Sequence, residues 1–487
     1  MRKNRVYAYN THYKIYDYNL GDWPEMEKAL TYWDRPTFTS FPKYLYDKVS
    51  HVMFIPRGFD PVLIEQWNGK PITYVDNESH VEYIGFGMTK DPKDADQEKA
   101  IRFLVGLDEF KTIKNNSQKV LIMAPGKGKT YCAISAIQRL HMRALIIVHT
   151  QNLREQWIER ISEYTNMGGP NIVELTSSKQ LHGYMKKTPD ANCKIFITTR
   201  NLLVSYCDRY GIDALSDVID RMGIGVKVLD EVHKEYERTL LIDYATNVKF
   251  TFYLTATFAL SDYMKNRIFQ NAFDVVQKLH IKMSESAKHI IYIPVIFNSH
   301  PNLIEEQRIV GGKRGLDRFL YIEYELNKGI LERELRTILK FFLMDKGLKG
   351  KTLILSSKKV TCDRFRDIAE NELNFSRTVC SFHTDNKTQD YKEYDIISAT
   401  AQMLGTGEDI HGLRFMYNTE PFASLPNTDQ FSGRLRPYVD ETGSKPTYYI
   451  EFIDIGFQKV YEWYKKRTKL LKTKVKEIHE MNHTIIR

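Results

Sequence analysis

Short apolar runs separated by helix-length amphipathic segments recur from Lys119 onward. The runs 119–123, 144–148, 194–198, 225–229 and 251–254 each read as a buried strand. Helical spacing fills the gaps, as from Tyr131 to Leu140. Strands alternating with helices imply a parallel sheet covered on both faces. The pattern restarts near His289. Residues 290–295 read as a strand, with Pro294 suggesting a sheet edge because proline lacks an N–H. A helix is expected from about Asn327 to Met344, and strands at 352–355 and 394–398.

The first 85 residues carry a different pattern. Aromatic-rich strands are expected at 13–18 and 51–56, with helices from Pro24 to Tyr32 and from Phe59 to Trp67. The polar stretch Thr89 to Asp96 reads as a linker, and the lysine-rich tail from Phe457 to Ile486 as a helix. The expected organisation is therefore α/β. A small α+β module (1–88) is followed by two parallel-sheet lobes (89–288 and 289–456) and a basic terminal helix (457–487).

Composition narrows this little. At 487 residues the chain is too long for one core. Its 42% apolar and 27% charged residues are ordinary for a soluble protein. No apolar run approaches the ~18 residues of a membrane span, and the first residues lack the apolar stretch of a secretory signal. A cytoplasmic location without membrane contact is expected. The five scattered cysteines read as buried thiols rather than a zinc site. A net charge of +9 permits polyanion binding without establishing it.

The chemistry lies at the ends of the expected strands. Gly126-Lys127-Gly128-Lys129-Thr130 follows one strand and precedes a helix, the setting in which backbone N–H groups cradle phosphates. Lys129 is expected to reach the β- and γ-phosphates, and the Thr130 hydroxyl to ligate Mg2+. The strand 226–229 delivers Asp230 and Glu231, the first to hold Mg2+ and the second to polarise the attacking water. His233 is expected to couple this site to Thr255-Ala256-Thr257 at the next strand end. His149-Thr150 and Thr198-Thr199-Arg200 offer N–H groups, hydroxyls and one guanidinium of the kind that suits a phosphate backbone. Gln97 fits either an adenine-reading amide or a solvated helix position. In the second lobe, Ser356 and Thr400 are candidates for track contact. Gly407 and Asp409 are candidates for the nucleotide side, and Gln430, Arg434 and Arg436 for phosphate sensing.

This ordered series resembles superfamily 2 helicases, and within them the UvsW-type phage recombination and fork-remodelling helicases. The resemblance covers about Gln97 to Pro437, with a weaker likeness of the first module to that family's small DNA-binding domain. It implies two RecA-like lobes, ATP and Mg2+ as cofactors, and branched, duplex or single-stranded DNA as partner. It also implies a role beside recombination or replication proteins, in a host cytoplasm if phage-encoded. The closing motif departs from the family pattern: position 437 is proline, so Arg434 and Arg436 both stay open as the arginine finger. An RNA helicase, or a duplex translocase that separates no strands, uses the same motor residues.

Overall fold

Within each of two sheets the strands that carry the motifs run parallel and end along one edge of that sheet. In the computed structural model, which describes residues 4–34, 37–75, 81–111, 117–124, 126–260, 262–281, 288–310, 315–338, 349–372, 377–386, 390–404, 410–419, 428 and 431–482, the chain divides into two units, Met1–Lys282 and Met283–Arg487.

The first unit holds a seven-stranded sheet in the order Ile172–Glu174, Ile195–Thr199, Ala144–Val148, Val226–Asp230, Phe250–Thr255, Gln118–Met123, Gln277–Ile281. Every neighbouring pair is parallel. Both faces are buried, and so the strands read as unbroken apolar runs. Thr255 ends the strand that lies between the one ending in Asp230 and the one ending in Met123.

The first module forms its own small sheet, ordered Leu45–Asp47, Val52–Pro56, His12–Tyr16, Arg5–Ala8, Thr73–Tyr74. The expected helix from Pro24 stops at Ala29, and Thr31–Asp34 instead pairs with Thr39–Pro42 as a hairpin. The second expected helix is Pro61–Asn68, whose Asp60 side chain caps Val62 N–H. This sheet packs tightly against the first lobe. Tyr13, Ile15, Met53 and Ile55 share one hydrophobic cluster with Phe269, Ala272 and Phe273. A Cβ on Gly58 would lie 2.4 Å from the Ala272 carbonyl oxygen. His12 Nδ1 donates to the Asp243 carbonyl at 3.2 Å. The stretch expected as a linker is also tied down: Thr89 N–H donates to Tyr164 O, and Tyr131 Oη–H to Lys90 O.

The second unit holds a parallel sheet ordered Val379–Phe382, Ile396–Thr400, Lys351–Ser356, Leu413–Asn418, Thr447–Asp454, Ile290–Phe297, Glu477–Ile478. Two expectations change here. The helix expected from about Asn327 to Met344 starts at Ile330, after Arg318–Asn327 ends and Gly329 turns with φ of 63°, and is described to Ile338; residues 339–344 lie outside the described residues. The basic tail is helical only over Gln458–Leu471. It then returns to the sheet as Glu477–Ile478 and Met481–Asn482, both parallel to Ile290–Phe297. These two pieces pair on either side of Pro294, whose missing N–H falls in the gap between them. The terminal helix is anchored by Arg467, fully buried and 2.8 Å from the equally buried Glu451. Its Lys465, Lys466, Lys469 and Lys472 face solvent. All five cysteines are buried free thiols. Among the described residues no helix is long and apolar enough to cross a membrane.

Burial of His12 pushes its imidazole down to about 3, so the folded unit keeps it neutral. The unfolded chain takes up the proton near pH 6.5. The stabilisation is complete above that value and is lost as pH falls from 6.5 toward 3. Urea midpoints of His12→Gln should therefore fall less steeply than wild type between pH 6.5 and 4.5, where the histidine contributes up to about 1.4 kcal/mol per pH unit.

Candidate functional site

The phosphate loop follows the strand Gln118–Met123 and feeds the helix Lys129–Leu140. Gly126 and Gly128 take φ of 79° and 94°, a region that side chains disfavour. Gly128 stands at the N-cap with no side chain to satisfy the first helical N–H groups, so those donors are open to an anion. Lys129 Nζ rests on the Met123 carbonyl at 3.0 Å. Gln97 is buried against this loop. Its Nε2 donates to Lys127 O at 2.9 Å, and its Oε1 accepts from Lys93 N–H at 3.0 Å. Its amide braces the loop, and the solvated alternative does not hold.

Asp230 ends the strand Val226–Asp230 and is buried. Its Oδ1 accepts from Glu231 N–H at 3.0 Å, and its Oδ2 from Trp157 Nε1–H at 2.9 Å. Burial pushes the Asp230 carboxyl up, and the Glu231 charge adds to this. Lys129, the Trp157 hydrogen bond and Arg200 oppose it. A divalent cation would offset the cost of two adjacent, largely buried carboxylates. Lys129, the glycine loop and Thr130 together fit a polyphosphate with its metal.

Glu231 has φ of 51°, uncommon for a residue with a side chain. Its Oε2 lies 3.3 Å from His233 Nδ1. That nitrogen is also 2.8 Å from Thr255 Oγ1. The Thr255 hydroxyl donates its single proton to Thr257 O at 2.7 Å, so His233 must be the donor at Nδ1. A hydrogen-bonded line therefore runs His233, Thr255, Thr257, and the Glu231 carboxylate lies beside its first nitrogen, so that the acidic strand end meets the neighbouring one.

The residues expected on a nucleic-acid track divide. Thr150 and Thr199 are N-caps, accepting from Leu153 N–H and Leu202 N–H, each at 3.4 Å. His149 Nδ1 lies 3.3 Å from Glu235 Oε2. Burial and the nearby Lys234 and Arg200 charges push this imidazole down. Thr198 is fully buried and donates to Leu175 O. Arg200 corrects the expectation outright. It is fully buried and donates to the carbonyls of Asp230, Glu231 and Lys234. Desolvation lowers its guanidinium to about 10. It holds the acidic loop and presents nothing to a phosphate backbone. Trp157 was absent from the expected set, because a tryptophan at helical spacing reads as core.

In the second unit Ser356 and Thr400 are cross-strand partners at the ends of adjacent parallel strands, both buried. Arg434 is buried and Arg436 half-buried. Gly407, Asp409 and Gln430 lie outside the described residues.

Residues 92–260 match the family model described as type III restriction enzyme, res subunit. A curated relative, the general transcription and DNA repair factor IIH helicase/translocase subunit XPB of Encephalitozoon cuniculi, is 30% identical over 116 residues. That is 23% of this chain and 16% of the relative, so the chain spans about a sixth of the relative's length. Among solved structures, Saccharomyces cerevisiae Dbp5 bound to RNA and ADP BeF3 superposes over 80% of this chain and 89% of its own. The TM-score is 0.50 at 14% identity, a likeness of fold. Bacteriophage T4 UvsW covers 99% of this chain and 100% of its own at 14% identity, with a TM-score of 0.37, too low to argue from. The two parallel sheets are RecA-like lobes.

A side chain at position 128 would have to displace the Gln97 amide that braces the loop, since its Cβ would stand 2.4 Å from Gln97 Nε2. It would also carry the cost of a left-handed backbone, about 1–2 kcal/mol. Gly128→Ala should weaken ADP binding by about tenfold or more, read by titration calorimetry, while the circular dichroism spectrum is retained.

Proposed function

We propose that this chain is a superfamily 2 helicase, an ATP-driven DNA motor acting on branched or duplex DNA in replication or recombination. The observation that carries this reading is the hydrogen-bonded line from His233 through Thr255 to Thr257, with the Glu231 carboxylate 3.3 Å from the same His233 nitrogen. It gives the acidic box a physical route to a second strand end, as a machine that converts hydrolysis into movement requires. The name of the Encephalitozoon relative, a helicase/translocase of a DNA repair factor, favours DNA over RNA. A UvsW-type specialisation rests on the order of motifs alone.

The roles follow from position. The N–H groups at the start of the helix Lys129–Leu140 hold phosphate oxygens, and Lys129 leaves the Met123 carbonyl to do the same. Thr130 and Asp230 are the metal-holding pair. Glu231 orients and deprotonates water. Bound Mg2+·ATP supplies the anhydride that is cleaved and the cationic charge that offsets the phosphate oxygens. Gln430, with Arg434 or Arg436, is assigned to phosphate sensing. Single alanine variants at 434 and 436 identify the finger by which one loses about 10³-fold or more in kcat.

ATP turnover should be measured without nucleic acid and with single-stranded, duplex and four-way-junction DNA and RNA. Strongest stimulation by the junction is the expected result. Preference for RNA would replace the reading with an RNA helicase, and response to plain duplex alone with a translocase. Glu231→Gln should bind ATP yet stall, while Lys129→Ala should abolish turnover. Full activity in Lys129→Ala would overturn the assignment.

A further inference from the structure

We propose that Arg200 and Trp157 are positioning residues that transmit nucleic-acid contact into the acidic box, an inference that rests on the functional reading above. Both lie on helices whose N-cap residues, Thr150 and Thr199, are candidate track contacts. Thr150 caps the helix Gln151–Tyr164, which carries Trp157 two turns in. Thr199 caps the helix Arg200–Tyr210, whose first residue is Arg200. Each helix therefore joins a capped loop at one end to a side chain that grips the hydrolytic residues.

The grip is specific. Asp230 has two carboxylate oxygens; Glu231 N–H takes one, and Trp157 Nε1–H the other. Rotation of the indole necessarily moves Oδ2 or breaks the bond. Arg200 holds the loop that follows. Residues 231 and 235 both take left-handed backbone, with φ of 51° and 48°. Such conformations cost about 1–2 kcal/mol each for residues with a Cβ. They persist where the surroundings over-determine them. The guanidinium supplies that constraint, since it gathers the carbonyls of Asp230, Glu231 and Lys234 at once. A planar fork of donors can do this, and a lysine ammonium at the same site would have to release at least one carbonyl. Displacement of either helix start by a bound strand therefore changes where the metal-holding and water-activating carboxylates point.

The test uses the full chain with Trp157→Phe, which keeps an aromatic ring but removes the donor, and Arg200→Lys, which keeps the charge but not the fork. Binding of Mn2+ in the presence of ADP, followed by electron paramagnetic resonance, should weaken by about tenfold to a hundredfold in Trp157→Phe. Its kcat should fall by a similar factor with the KM for ATP within about twofold of wild type, the split expected when an interaction acts in the transition state. In Arg200→Lys the ratio of DNA-saturated to DNA-free turnover should fall by about fivefold or more. In Arg200→Gln, which removes the charge, the dependence of DNA affinity on salt should stay that of wild type, whereas loss of a direct phosphate contact would lower the slope by about 0.9. Retained stimulation and retained Mn2+ affinity in both Trp157→Phe and Arg200→Lys would overturn the proposal and leave the functional reading standing. A reduced salt slope in Arg200→Gln would overturn it too, by making the arginine a track contact. A wild-type protein that no nucleic acid stimulates would remove the functional reading, and this inference with it.

Discussion

The buried ion pair between Lys227 and Asp243 is the interaction on which the first unit depends. Both side chains are almost wholly enclosed, 2.5 Å apart. Lys227 sits in the strand that delivers Asp230, and its ammonium also donates to Thr246 Oγ1. Asp243 accepts from the Tyr253 hydroxyl in the neighbouring strand, and its backbone carbonyl takes the His12 proton from the small sheet. One pair thus sets the acidic strand, the strand ending in Thr255 and the seat of the first module. Removing either partner strands a charge in the interior, at a cost of about 3–5 kcal/mol. Burial pushes the lysine down and the carboxyl up, as expected when only the partner makes the charged forms tolerable.

From that anchor the chemistry follows by topology. Parallel strands place all their carboxyl ends on one edge, where side chains and helix N-termini converge. The glycine loop, Asp230 and Thr255 end three strands that are successive in the sheet, though they are far apart in sequence. Hydrolysis and coupling are neighbours because the sheet makes them so. Arg200 and Trp157 then reach the same edge from two helices, one beneath the backbone of the acidic loop and one against its first carboxylate.

The motif-bearing strands were legible because they are apolar on both faces and end in glycines, acids or threonines. Thr447–Asp454 was not, since it carries Glu451 and Asp454 into the interior. Those charges are made tolerable largely by partners distant in sequence, Arg467 and Tyr292 for Glu451 and Ser299 for Asp454. Gln277–Ile281 alternates as a half-exposed edge, too polar to stand out. The candidate catalytic residues of the first lobe could be placed at strand ends from spacing. The partners of Arg200 could not, because a guanidinium beside two threonines suits phosphates and carbonyls equally, and only the path of the loop 230–234 decides. The hairpin at Thr31–Asp34 replaced an expected helix end for a similar reason: its pairing with Thr39–Pro42 is a tertiary event.

The tail strands on either side of Pro294 bear on how the second unit is made. Ile290–Phe297 is its first strand in the chain, and the strip that shields its outer edge, Glu477–Ile478 and Met481–Asn482, is the last. During synthesis an apolar strand is thus on offer to any other nascent chain until nearly the whole unit has left the ribosome, a standing invitation to intermolecular pairing. Proline in the middle of that edge, unable to donate, makes it a poorer template for such pairing.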